Sequence, residues 1–251
     1  MKNFLDGATP KLVAMLAEET PDGFISLMKK TKEEGAEGFC LLLQGLYPEY
    51  KTKENYERII DSADGRMVYV ANYIRDNSES DVTDEYLAAQ LIEMAECGAD
   101  LVDIRTDMFC RDKDEVTLDV DAVIKQKKLI SDIHNLGAQV LMSTHIFEYR
   151  TPEQILEIAK LQEERGVDIA KVVTVANSQS ELEDAFRTNA LLNRELNIPY
   201  LFLCNGTHCK KHRLLSPFFG TSFYLCVENA KSGENQPTIE KAKRIREELK
   251  F

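Results

Sequence analysis

The chain has 251 residues, 43% of them hydrophobic, and a formal net charge of −12. A chain this long buries roughly 70–75% of its unfolded surface on folding, so a substantial core is expected. The acidic balance argues against a nucleic-acid backbone or an anionic membrane as partner, and an anionic substrate would have to meet its own local cations.

No charged, apolar, small-residue leader occupies Met1–Glu19, and no stretch reaches the roughly 20 apolar residues of a membrane span. A soluble cytoplasmic protein is expected. Cys40, Cys97, Cys110, Cys204, Cys209 and Cys226 are scattered through mostly apolar contexts, and reduced thiols are the expected state.

Along the chain, β-rich runs alternate with polar segments of helical period. The runs are Lys11–Leu16, Phe39–Leu43, Met67–Asn72, Asp100–Arg105, Ala138–Ser143, Asp168–Thr174, Pro199–Cys204 and Thr221–Val227. They are near-continuous in apolar residues, as strands covered on both faces should be. Between them, Thr83 precedes an acidic first turn at Asp84 and Glu85, and Leu87, Leu91 and Ala95 then repeat every fourth residue. Thr151-Pro-Glu-Gln154 predicts a capping box with proline at the first helical position, with Gly166 as the stop. Ser180-Glu-Leu-Glu183 predicts a second capping box before an amphipathic stretch to Leu196. Eight β/α repeats predict a (β/α)₈ barrel as one domain over residues 1–251. The rival is an open doubly wound sheet, disfavoured by the absence of Gly-x-Gly-x-x-Gly and Walker sequences.

Chemistry in a barrel collects at the C-terminal ends of strands. Lys171 sits inside the apolar run Asp168–Val175, where an amine is costly to ionise. A neutral amine is a nucleophile that forms imines with ketones. His145 follows the fifth run, one strand away, and adjacent strands are about 4.8 Å apart. Alone, His145 also reads as a core or capping histidine, and Lys171 as a lysine whose stem snorkels out of a strand end. Together they favour imine chemistry.

The pairing of Leu141-Met-Ser-Thr-His-Ile-Phe147 and Thr151-Pro152 with Asp168-Ile-Ala-Lys171 resembles type I 3-dehydroquinate dehydratase. Arg213, the pair Phe219-Gly220, and the Ser232 and Gln236 of a Ser-x-x-x-Gln loop extend the likeness, which is dense from about Ala138 onward. Pro10–Leu16 resembles the family's first strand. The resemblance implies a (β/α)₈ lyase of the shikimate pathway that needs no cofactor or metal. It implies His145 as general acid/base and Lys171 as the Schiff-base lysine. Arg213 would hold the substrate carboxylate, and Ser232 and Gln236 would lie on a substrate loop to which Gly233 gives freedom. The partner is then a small carboxylated keto compound, and a homodimer is common in the family. An imine-forming aldolase or dehydratase of another keto acid, and a non-catalytic barrel binding a carboxylate, are the alternatives.

The departures lie in the N-terminal half. Where the family carries a Glu-x-Arg pair on the second strand, Gly38–Gln44 is uncharged, with Gln44 its strongly polar residue. The third-strand arginine and the glutamate that orients the histidine have Arg75 and Glu79 as candidates. The fourth strand ends Asp103-Ile-Arg105 in place of Asp-x-Glu, so Arg105 either adds a cation to the pocket, replaces a lost one, or pairs structurally with Asp103 or Asp107.

Two other groups compete for attention. Cys204, His208, Cys209 and His212 are zinc-type side chains without regular Cys-x-x-Cys spacing, and no metal is expected there. Lys210-Lys211-His212-Arg213 reads as a solvated basic loop.

Overall fold

A computed structural model describes residues 9–71, 82–228 and 235–249. Eight parallel strands alternate with helices: β1 Lys11–Leu16, α1 Pro21–Glu34, β2 Gly38–Leu42, α2 Lys53–Asp61, β3 Met67–Ala71, α3 Asp84–Glu96, β4 Leu101–Arg105, α4 Val120–Asn135, β5 Gln139–His145, α5 Pro152–Glu164, β6 Ile169–Val175, α6 Gln179–Glu195, β7 Tyr200–Asn205, α7 Cys209–Leu215, β8 Phe223–Cys226 and α8 Ile239–Glu248. The strand order is β7-β6-β5-β4-β3-β2-β1-β8. At the seam, Ser222 N–H donates to the Tyr200 carbonyl at 2.9 Å, so the sheet curls into a nearly closed cylinder. This is the expected (β/α)₈ barrel. Among the described residues, no helix is long and apolar enough to cross a membrane.

Period-two alternation explains why the strands are apolar on both faces. Inside the cylinder, Val13, Cys40, Met67, Leu101, Leu141, Ile169, Leu201 and Phe223 pack against one another. The alternate residues, such as Leu12, Phe39, Val68, Val102 and Val140, face the helical layer. Each such fully buried aliphatic or aromatic side chain contributes about 1.5–3 kcal/mol relative to exposure.

Helix starts follow local chemistry. The Thr83 side chain accepts from Tyr86 N, and Thr151 with Gln154 forms the predicted capping box. The second box is displaced from its predicted place. Ser178 and Glu181, not Ser180 and Glu183, cap α6. Both Ser-x-x-Glu pairs fit the pattern, but the earlier one ties down more main chain. Glu181 Oε2 accepts from the N–H groups of both Asn177, at 2.6 Å, and Ser178, at 3.4 Å.

The fifth strand runs two residues further than predicted. Ser143, Thr144 and His145 pair with Lys171, Val172 and Val173, so the histidine is the last residue of β5. The basic run is also not a solvated loop. It lies in α7, whose period exposes Lys210 and Lys211 and buries Cys209, His212 and Arg213 at i, i+3 and i+4.

Candidate active site

Alternation along β4, β5 and β6 aims Asp103, Ser143 and Lys171 into the barrel. Lys171 is 2% exposed. Its surroundings are less apolar than the sequence suggests. The amine stands 3.1 Å from Asp103 Oδ2 and 3.2 Å from the Tyr69 hydroxyl. Tyr69 donates to the same Asp103 oxygen, while Ser143 Oγ donates to Oδ1 at 2.5 Å. The carboxylate is therefore the hub of a buried polar cluster whose other members are a phenol, an alcohol and an amine. Nearby, burial pushes the Cys40 thiol up to about 12, which keeps it protonated and no rival nucleophile.

One layer higher on the same inward faces stand Arg105 and His145. His145 Nδ1 lies 3.1 Å from Glu115 Oε2, and the same oxygen accepts from the His145 main-chain N–H at 2.9 Å. Glu115 Oε1 accepts from Arg105 Nη2 at 2.6 Å. Burial lowers the pKa of His145 below its ordinary value of 6.5. The Glu115 hydrogen bond opposes that shift, and the charge of Lys171 adds to it. For Glu115, burial alone would raise the pKa, but the His145 hydrogen bond and the Arg105 charge outweigh it, and the net shift is downward.

Glu115 comes from the connection between β4 and α4, where its own φ is +53°. That uncommon conformation for a non-glycine residue is held from outside the barrel. Arg165, just past α5, donates to the carbonyls of Thr106, at 2.5 Å, and of Thr117, and to Gln126 Oε1 at 2.8 Å. Gln162 Nε2 donates to the Thr106 hydroxyl at 2.9 Å, and Thr144 Oγ1 donates to the Glu115 carbonyl at 3.4 Å. The connection is thus pinned at Thr106, Glu115 and Thr117.

Arg213 enters from α7 on the far wall. Its Nε donates to the Cys204 carbonyl at 2.8 Å, Nη1 to Gln236 Oε1 at 2.7 Å and Nη2 to Asn205 Oδ1 at 2.9 Å. His145, Lys171, Arg105, Glu115, Arg213 and Gln236 line one cavity of about 260 Å³, with Met15, Leu203 and Leu225 as its apolar wall and Phe147, 77% exposed, at its rim. The arrangement sets an amine and an imidazole on one side of a small cavity and a fixed cation in its wall, which suits a carboxylated carbonyl compound.

The model of the family described as type I 3-dehydroquinase matches residues 114–250. The chain belongs to that family. Type I 3-dehydroquinases are Schiff-base-forming hydro-lyases, and the family activity is dehydration of 3-dehydroquinate. Solved structures agree on the fold. A 3-dehydroquinate dehydratase from Geobacillus kaustophilus HTA426 is 16% identical, with TM-score 0.83, over 98% of this chain and 93% of that one. A type I 3-dehydroquinate dehydratase from Clostridium difficile, with covalently modified comenic acid, is 13% identical with TM-score 0.84, over 98% and 94%. The Enterococcus faecalis 3-dehydroquinate dehydratase is 13% identical with TM-score 0.79, over 98% and 97%. No curated protein matches the sequence.

Of the residues picked out by likeness to the type I 3-dehydroquinases, His145, Lys171, Arg213 and Gln236 meet in the one cavity. Ser232, Gly233, Arg75 and Glu79 lie outside the described residues. Gln44 does not join the site. It lines a separate small pocket with Leu43, Tyr56, Val70 and Met94. Arg105 does join it, and its ion pair is with Glu115, not with Asp103 or Asp107. Glu115, Asp103 and Tyr69 were not singled out from sequence as site residues. Among the described residues, no cluster of histidine, cysteine and carboxylate groups has metal-binding geometry. His212 instead bonds Asn189 Oδ1 through Nε2 at 2.8 Å and packs against Phe186 and Phe202.

Proposed function

We propose that Lys171 and His145 carry the family reaction in this chain, with Arg213, Gln236 and Ser232 binding the substrate. The observation that carries the assignment is the cavity itself, which has the Lys171 amine and the His145 ring on adjacent strands of one wall. Lys171 Nζ attacks the substrate ketone, and the carbinolamine loses water to give a protonated imine. Attack requires an uncharged amine, and Asp103 and Tyr69 stand within hydrogen-bond distance of a proton leaving Nζ. The iminium withdraws electrons from the neighbouring C–H bond, and His145 removes that proton.

With Nδ1–H directed at Glu115, Nε2 is the basic nitrogen. The C–H electron pair forms the new double bond as the β-hydroxyl departs, and protonated His145 returns its proton to that oxygen. One water leaves. A second water then hydrolyses the conjugated iminium, releasing enone product and free Lys171. Arg213 holds the carboxylate and supplies the local charge that an acidic protein otherwise lacks. Glu115 takes the orienting role for which Glu79 was the sequence candidate. Gln236 stands beside Arg213 at the cavity wall, and the family resemblance assigns Ser232 to the substrate as well. The chain acts as one cytoplasmic barrel domain, and a homodimer is the expected assembly.

Borohydride added with 3-dehydroquinate should reduce the imine and leave a mass adduct on the peptide bearing Lys171, and on no other. Ultraviolet absorbance should report the conjugated product. Absence of an adduct, under conditions that trap a control Schiff-base enzyme, would overturn the assignment.

A further inference from the structure

Arg105 has more hydrogen-bond capacity than the protein uses. Its side chain is 13% exposed, and among the described residues a single nitrogen, Nη2, is engaged, on Glu115 Oε1. Nε and Nη1 are buried and find no acceptor among the described residues. Glu115 cannot relieve them, because its other oxygen already serves both the main chain and the ring of His145. A buried cation with idle donors is an expensive arrangement in a protein interior. It becomes favourable when a ligand brings oxygen acceptors. Arg105 also lines the catalytic cavity and shares a carboxylate with the general acid/base.

We propose that Arg105 is a substrate-binding residue, its guanidinium donating to an alcohol oxygen or oxyanion of the bound molecule on the His145 side of the cavity. This rests on the dehydratase reading and extends it. The pocket then has two guanidinium anchors, Arg213 for the carboxylate and Arg105 for a second oxygen-bearing position. A preferred ligand carries an acceptor at each. A keto acid lacking the second oxygen leaves the Arg105 donors idle and binds more weakly. The planar fork of Arg105 also explains why one end can hold Glu115 while the other faces a ligand, which an ammonium cannot do as well.

The test uses quinate, which has the carboxylate and hydroxyls but no ketone, so its affinity is independent of imine formation. Calorimetry on the wild-type protein and on Arg105→Met, Arg105→Lys and Glu115→Gln separates the roles. Arg105→Met should weaken quinate binding at least tenfold, and Arg105→Lys should recover part of the loss. Glu115→Gln, whose amide oxygen can still accept from Nη2, should stay within about threefold of wild type. With 3-dehydroquinate, Arg105→Met should raise KM at least as much as it weakens quinate. Equal quinate affinity in wild type and Arg105→Met would overturn this inference while leaving the imine mechanism standing. Failure of quinate to bind the wild-type protein would overturn the substrate reading, and this inference with it.

Discussion

Glu115 Oε2 contacts His145 twice, at the main-chain N–H and at Nδ1, so a single carboxylate oxygen fixes both the backbone and the ring of the proposed acid/base. Replacement by glutamine should lower kcat by about 10–100-fold with little change in KM, the size expected for a group that orients a reacting side chain. The pH profile supplies a signature that loss of folding would not. Burial holds His145 below 6.5 and the Glu115 bond resists that shift. Removing the carboxylate should therefore lower the His145 pKa further and move the acidic limb of kcat/KM to lower pH. An unmoved limb, or one displaced upward, would contradict the role.

Asp103 joins Lys171, Tyr69 and Ser143 at one buried carboxylate. Asp103→Asn should slow formation of the borohydride-trappable species by about 10²-fold or more, because the group nearest to a proton leaving Nζ is lost. Tyr69→Phe should slow it less. Single-turnover trapping at several quench times measures both. Wild-type trapping rates in Asp103→Asn would remove the carboxylate from the mechanism.

Arg165 lies outside the barrel wall, yet it holds the connection that carries Glu115. Arg165→Met would strand the Thr117 carbonyl and Gln126 Oε1, while the Thr106 carbonyl keeps the Gln126 amide donor, and should cost about 3 kcal/mol of stability in a denaturant titration. It should also depress kcat through Glu115, with KM less affected. Retained kcat in a destabilised variant would show that the pins at Thr106 and Thr117 do not set the position of Glu115.

His212 gives a pH dependence of folding unconnected with turnover. Burial pushes its pKa from 6.5 down to about 3, so the folded chain keeps it neutral where the unfolded chain protonates it. Between pH 6.5 and about 3 the unfolded state binds the extra proton, so stability falls as pH falls, at about 1.4 kcal/mol per pH unit from this residue. His212→Gln should flatten the stability profile across that window relative to wild type. Parallel profiles would refute the assignment.

The barrel was legible because strands buried on both faces leave long apolar runs, and because the capping chemistry of Thr83 and Thr151 is local. The α6 start was not, since Ser178-Gln-Ser-Glu-Leu-Glu183 holds two overlapping boxes and the choice between them turns on which glutamate reaches the Asn177 and Ser178 main chain. His145 and Lys171 could be found because they occupy regular strand positions. Asp103 carried a usable signal, as an acidic residue on the inward face of a strand near a buried lysine requires a partner. Glu115 carried none. It sits in an aperiodic connection, and its reach to His145 depends on a positive φ that a glutamate does not advertise. The Lys171 environment was misjudged for a related reason, because Asp103 and Tyr69 are distant in sequence and adjacent only after the cylinder closes.

The carboxylate that tunes the imidazole belongs to a crossover rather than to a stave of the barrel. Exchanging Glu115 should therefore retune the acidity range of the proposed base, while the proposed imine-forming lysine keeps its phenol and carboxylate neighbours below. In this architecture the groups proposed for bond-making stand on the staves of the cylinder, while the group proposed to set their acidity range hangs from a crossover that Arg165 braces from outside.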